Sequence, residues 1–149
     1  MLIKLAYRIM RVYWFLVRPI TMGARVILIK DDQIVLVKHS YQDAWYLPGG
    51  GIKRNETLEQ AVRREAAEEC GARIKQVRFL GIYTQFVDHK NDHISLFLSD
   101  DFTLQEKSDH EIEQIALFPV QQLPDKISPG SRRKIEAFIN ESLPPTGMW

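Results

Sequence analysis

A segment with strong helix-forming character whose inward stripe turns from apolar to acidic constrains this chain most. Residues 57–70 read TLEQAVRREAAEEC, contain no internal Gly or Pro, and are followed by Gly71, a helix-stopping residue. At 100° per residue, Leu58, Ala61, Val62, Glu65, Glu68 and Glu69 fall on one face of the predicted helix. Like charges at i,i+4 cost about 0.2–0.5 kcal/mol on a solvated helix, and more when they are turned toward a core. A bound cation removes both penalties, whereas a solvated Glu-rich face needs no ligand at all.

On these residues alone both readings stay open. A carboxylate trio at i, i+3 and i+4 offers hard oxygen ligands of the kind Mg²⁺ or Mn²⁺ takes, with phosphate oxygens and water filling the remaining positions. Arg64 stands beside the trio, either as a bidentate clamp that orients carboxylates or as an exposed helix Arg. Glu56, just before the helix, either complements the helix N-terminus or completes the metal site. Gly49, Gly50 and Gly51 provide a tight backbone path near this group, and they match neither a P-loop nor a dinucleotide fingerprint.

The full spacing is Gly50, five residues, Glu56, seven residues, Arg64-Glu65, Ala66, one residue, Glu68-Glu69, one residue, Gly71, Ala72. It resembles the Nudix box of the Nudix hydrolase family, with every fixed position filled, and Trp45 to Gly50 resemble the strand and loop that precede it. One departure is Asn55, where the family often has Gly; Asn tolerates positive φ better than most residues. The resemblance implies an α/β/α sandwich over about residues 21–143. It also implies hydrolysis of a diphosphate bond in a nucleoside diphosphate-linked or related small molecule, with Mg²⁺ or Mn²⁺ as cofactor. Glu65, Glu68 and Glu69 are then the metal ligands, Arg64 assists, and water is the nucleophile. Many family members carry a Glu-Ile-x-Glu stretch before a strand. Here Glu111 and Glu113 fill it, which makes Glu111 a further candidate ligand or base beside a solvated strand start.

Two other classes are compatible with the same fold. An isoprenyl diphosphate isomerase of this family uses a Cys outside the box, and Cys70 is the only cysteine of the chain. A non-catalytic Nudix-like binding module would be expected to have lost box carboxylates, and this chain keeps them. Substrate identity is not written in the sequence: Gln85 to Lys90 supply neither of the Pro and Tyr positions that the family associates with particular substrates. Phe86 or Tyr83 is a candidate for base stacking, and equally a core aromatic. His39, His89, His93 and His110 fall at predicted strand ends and turns, where surface or packing roles are commoner, although His89 or His110 would be within a loop's reach of a phosphate.

Hydrophobic periodicity organises the rest as one mixed α/β domain. Strands are expected at 24–29 and 34–39 around a Lys30 to Gln33 turn, at 45–47, at 73–87 and 93–102 around a polar Asp88 to Asp92 turn, and at 111–118. A short turn or helix is expected at 119–126, and a closing helix at 128–143 with Ser128 as N-cap and Pro129 at N1. A net charge of +1 gives no field for nucleic acid, and one cysteine, read as a small buried residue, fits a reducing, cytoplasmic compartment.

The organisation is therefore an amphipathic helix within residues 1–20, the domain at 21–143 and a C-terminal tail at 144–149. In the first segment Lys4, Arg8, Arg11 and Arg18 share a stripe with Phe15, while Leu2, Ala6, Ile9, Tyr13 and Leu16 lie opposite. The run is too short and too charged to span a bilayer. The expectation is that residues 1–18 pack on the domain or on the partner in a homodimer; lying on a membrane surface is the competing reading.

Overall fold

The computed structural model describes residues 2–105 and 112–149. After a helix α1 (Leu2–Val17), the chain forms β1 (Ile20–Lys30), β2 (Gln33–His39), β3 (Trp45–Tyr46) and β4 (Gly49–Gly51), then α2 (Leu58–Cys70). The long β5 (Ala72–Val87) and β6 (Lys90–Leu104) follow, then β7 (Ile112–Pro119), α3 (Pro129–Ile139) and β8 (Thr146–Met148).

The strands join in one mixed sheet of order β3-β2-β1-β6-β5-β8, with β4 paired to β1 and β7 to β2. The centre is the parallel pair of β1 and β6, in register from Ile20 opposite Asn91 to Leu28 opposite Ser99. Alternation along β1 and β2 divides the core between the two faces. Ala24, Val26, Leu28, Val35 and Val37 lie under α2 with Ala61, Val62, Ala66 and Cys70. Ile27, Ile34, Leu36, Leu96 and Tyr83 lie on the other side with Ile135 of α3. Helices thus cover both faces, the α/β/α arrangement expected.

The turns follow from side chains that tolerate left-handed backbone. Asp31 and Asp32 (φ 52° and 58°) close the β1-β2 hairpin in two residues. The β5-β6 hairpin is just as tight, with Asp88 and His89 at φ 50° and 62°, so the expected turn through Asp92 is shorter than read. Lys90, Asn91 and Asp92 belong to β6, where neighbouring strands satisfy the Asp92 carboxylate: it accepts from Thr21 Oγ1 at 2.7 Å and from Gln85 Nε2 at 3.0 Å. The closing helix starts at Pro129 after Ser128 but stops at Ile139, four residues early, where Asn140 caps it and Glu141 turns left-handed.

Residues 144–149, set apart above as a tail, run along the sheet edge as β8, parallel to β5 from Ile82 to Thr84. Trp149 is buried against Gly130 and Tyr83. At the other end, α1 meets the domain only around the β5-β6 hairpin tip in the contacts described. Its apolar side is exposed rather than packed on the domain, with Ile9 at 62% and Leu16 at 74%.

Candidate active site

The site is built where α2 crosses the glycine strand β4. Thr57 starts α2 with a reciprocal capping box, its hydroxyl accepting from the Gln60 amide while the Gln60 side chain accepts from the Thr57 amide. Gly71 ends it in left-handed conformation at φ 65°. Asn55 takes the left-handed conformation (φ 62°) in the loop that turns β4 into the helix. Within α2 the packed stripe runs through Ala61, Val62, Ala66 and Cys70. It drifts around the helix and leaves Glu65, Glu68 and Glu69 at its edge, over β4.

Strand β4 pairs with β1, Gly50 opposite Ala24. The missing side chain of Gly50 makes the cradle: a Cβ there would lie 2.7 Å from Cδ and Oε1 of Glu65 and 2.8 Å from its Oε2. Next to it, the Gly49 amide donates to Glu69 Oε2 at 2.8 Å. Gly51 contributes its carbonyl, which accepts from Arg64 Nη2 at 3.1 Å.

Arg64 is the hub of this cluster. Its Nε and Nη2 donate to the two oxygens of Glu56 at 2.6 and 2.9 Å, a bidentate pair. Nη1 donates to Glu65 Oε1 at 2.6 Å and to Glu68 Oε2 at 3.1 Å. One guanidinium therefore holds three carboxylates, and its pKa is pushed above the ordinary value, first by the Glu56 hydrogen bonds, against burial, with Glu65 and Glu68 adding to the rise. Glu56 also accepts from the Lys53 amide at 2.9 Å, and these bonds, the Arg64 bonds foremost, bring its carboxyl down to about 2. Glu65 and Glu69 are mostly covered, 15% and 11% exposed, whereas Glu68 is 44% exposed.

Of the residues singled out from sequence, Arg64, Glu65, Glu68, Glu69 and Gly49 to Gly51 thus lie together, joined by Glu56. Glu111 and the side chain of Glu113 lie outside the described residues. Phe86 lies elsewhere: it pairs with Asn91 at the hairpin tip and is 68% exposed. Gly50 is level with Ala24 and Ser95, four residues further along β6, about 13 Å away at 3.3 Å per residue. Tyr83 is fully buried, with its hydroxyl donating to the Pro144 carbonyl at 2.7 Å, so it belongs to the core. Cys70 is also buried, which raises its thiol pKa to about 12.

Two neighbours were not read as part of the site from the sequence. His39, at the end of β2, places Nε2 at 3.6 Å from Glu69 Oε1 and stacks on Tyr41 at 5.3 Å. No local pattern connects positions 39 and 69, so only the fold brings them together. Arg25 donates to the Leu47 carbonyl at 2.7 Å and lies 5.9 Å from the Tyr46 ring centre. Its signal was available, since it is a charge within an otherwise apolar strand.

Among the described residues, no three His, Cys, Asp or Glu side chains are gathered as a ready metal cage. The donor chemistry nonetheless fits a hard divalent cation: carboxylate oxygens only, two of them mostly covered, over a glycine that leaves their space free.

The NUDIX domain family profile matches residues 19–138. The chain belongs to the Nudix family. Over 56 residues it is 46% identical to an RNA pyrophosphohydrolase of Hydrogenovibrio crunogenus, which is 38% of this chain and 34% of that protein. Over 63 residues it is 40% identical to diphosphoinositol polyphosphate phosphohydrolase 3-alpha of Mus musculus, 42% of this chain and 38% of that one. The aligned part thus spans little more than a third of the length of these curated relatives. The fold is that of a MutT NUDIX hydrolase from Burkholderia pseudomallei, with TM-score 0.71 and 22% identity, covering 78% of this chain and 96% of that one. The MutT protein from Methanosarcina mazei Go1 agrees, with TM-score 0.72 and 19% identity, covering 84% and 96%. Nudix hydrolases generally use divalent metal ions.

Proposed function

We propose that this Nudix domain hydrolyses a diphosphate bond in a nucleoside diphosphate-linked or related small molecule, with Mg²⁺ or Mn²⁺. The observation that carries the reading is the Arg64 hub, which holds Glu56, Glu65 and Glu68 over a side-chain-free strand. An acidic stripe held in this way has no use in packing. The names of the two relatives, an RNA pyrophosphohydrolase and a diphosphoinositol polyphosphate phosphohydrolase, support the same bond type.

Glu65, Glu68 and Glu69 would hold the cation, which supplies neutralisation of the diphosphate charge and a lowered pKa for bound water. The residues of the chain do the rest. Arg64 fixes Glu65 through a 2.6 Å hydrogen bond and keeps Glu56 ionised. The Gly49 amide orients Glu69 through Oε2, and His39 Nε2 lies 3.6 Å from the other oxygen of the same carboxylate. The oxygen of a water attacks phosphorus as the bridging P–O bond breaks. Its proton passes to one of these carboxylates or to Glu111, and the leaving phosphate takes the bond's electron pair.

The test is a panel of nucleoside di- and triphosphates, nucleotide sugars and dinucleotides, assayed for phosphate-containing products with Mg²⁺ and with Mn²⁺. Turnover that disappears with a chelator and returns with metal is expected. Saturable binding of panel members without cleavage would instead make the chain a binding module.

A further inference from the structure

The helix α1 is oriented the wrong way round for a helix that serves the core. Tyr7 donates to Asp88 Oδ2 at 2.7 Å and Arg11 Nε lies 3.7 Å from Asp88 Oδ1. The Phe15 ring meets His89 edge-on at 5.1 Å, and Lys90 Nζ lies 3.9 Å from the Trp14 ring centre. At 100° per residue these four helix positions fall within an arc of about 100°. The opposite arc carries Ile9, Met10, Val12, Tyr13, Leu16 and Val17, which are 62, 41, 61, 52, 74 and 51% exposed. A surface helix normally turns such a stripe inward. Here the polar and aromatic side faces the protein and the apolar side faces out.

Charge selects what covers that face. No Asp or Glu occurs before Asp31, while Lys4, Arg8, Arg11, Arg18, Arg25 and Lys30 precede it. A second copy laid on the same stripe would set two helices without an acidic residue side by side, with Arg8 at the edge of the contact and no counter-charge for it, which opposes self-association. An anionic lipid surface meets both needs at once, taking the apolar arc among its acyl chains and the Arg8 guanidinium at the edge of that arc among its phosphates. Arg8 borders the apolar arc beside Val12, and both line a groove with Arg11, Phe15 and His89. The helix of 16 residues is about 24 Å long, so it lies along a bilayer, and no helix among the described residues is long and apolar enough to cross one. Ile20 and Phe86, 75% and 68% exposed, flank Asn91 in one register row, so apolar exposure continues at this end of the sheet.

We propose that α1 is an in-plane anchor that holds the domain on an anionic phospholipid surface, with the β5-β6 hairpin tip as its mount. The test is co-sedimentation of the full chain with vesicles of phosphatidylcholine alone or with about 30% phosphatidylserine. Binding is expected only to the anionic vesicles, and it should fall steeply by about 0.5 M salt. Arg8→Ala should weaken it about fivefold, from about 1 kcal/mol per basic side chain near such a surface. Ile9→Asp with Leu16→Asp should abolish binding. Both side chains are exposed, so the thermal midpoint measured without lipid should be unchanged, and sedimentation velocity should give a monomer for wild type and variant. No binding to anionic vesicles overturns the proposal. So does a wild-type dimer that the double Asp variant converts to monomer, because a second copy would then cover the face.

Discussion

Three consecutive glycines, Gly49, Gly50 and Gly51, should respond to the same substitution in three different ways. A Cβ on Gly50 would meet the Glu65 carboxyl at 2.7 Å, against an ordinary contact of about 3.5–4.0 Å. The obstacle is the far end of a flexible side chain, so Glu65 must move by about 1 Å while the backbone stays. Misplacing a catalytic group by that much costs on the order of 10²-fold in rate. Stability changes little: loss or bending of the Arg64–Glu65 hydrogen bond costs about 1.5–3 kcal/mol, partly offset by about 0.4–1 kcal/mol from a less flexible unfolded chain. Gly50→Ala should therefore lower kcat about a hundredfold and destabilise by no more than about 2.6 kcal/mol, roughly 8 °C in Tm. Gly49 differs because its φ is 145° and its Cβ would lie 2.1 Å from the Ala24 carbonyl oxygen, which is backbone. Gly49→Ala should cost at least about 3 kcal/mol by breaking the β1-β4 pairing. Gly51 has nothing within 4 Å of a Cβ, so Gly51→Ala should change stability by less than about 0.5 kcal/mol and leave kcat unchanged. Steady-state kinetics on the best substrate of the panel and urea unfolding of all three variants provide the check. If Gly50→Ala turns over within threefold of wild type, the idea that the cradle positions Glu65 fails.

Four other outcomes follow from the same geometry. Glu68→Gln or Glu69→Gln should remove most turnover while leaving the fold intact, because the amide keeps the shape and loses the charge; near-normal kcat in both variants would take them out of the site. Millimolar Mg²⁺ or Mn²⁺ should raise the melting temperature, by the equivalent of about 2.7 kcal/mol at a hundred times Kd, and no shift with metal and diphosphate together would count against the metal site. Glu56 titrates at about 2 when folded against 4.5 ordinarily, so its stabilisation is complete above pH 4.5 and is lost as pH falls through 2. The gap in unfolding free energy between wild type and Glu56→Gln should hold steady from pH 7 to 5 and close toward pH 2. Burial raises the Cys70 pKa from 9.0 to about 12, so its neutral-thiol contribution is complete below pH 9 and is lost as pH climbs toward 12. A thiol reagent at pH 8 should label the chain only after denaturation, and rapid labelling of the native protein would show that the thiol is open.

What the sequence disclosed was local. Thr57 and Gly71 bound α2 because capping is decided by a side chain within three residues of the helix end. Asn55 was legible as a residue that tolerates left-handed backbone, and Lys30 to Gln33 as a hairpin turn, because both signals lie in the local residues. What stayed hidden depends on register between distant segments. The polar run Lys90-Asn91-Asp92 reads as part of a turn until Thr21 and Gln85 are placed beside Asp92 as hydrogen-bond partners. Residues 144–149 have no strand signal of their own, and their order depends on the β5 edge and on the space that Gly130 leaves for Trp149. The apolar stripe of α1 was legible as a stripe. The direction it faces was not, because Asp88, His89 and Lys90, which capture the other side, lie 70 or more positions away in the chain.

The box itself shows why a core-facing acidic stripe is compatible with a stable domain. The first turns of α2 press Ala61 and Val62 onto the apolar face of β1 and β2, and full burial of a side chain like Val62 contributes about 1.5–3 kcal/mol. Further along, the helix passes over β4, where three glycines offer backbone instead of apolar side chains. Leucines at 65 and 69 would find little to pack against there. Carboxylates find an amide at Gly49, a vacant Cβ position at Gly50 and, through Arg64, a carbonyl at Gly51. The glycines and the glutamates are thus two halves of one device, and Arg64 fixes their relation by bonding to both. An Arg64→Lys substitution separates this from simple charge balance, because an ammonium keeps the charge but cannot make the bidentate bond to Glu56 while reaching Glu65 and Glu68. It should lower kcat at least about tenfold with KM little changed, since the loss falls on positioning. Full activity in Arg64→Lys would reduce the hub to a local counter-charge.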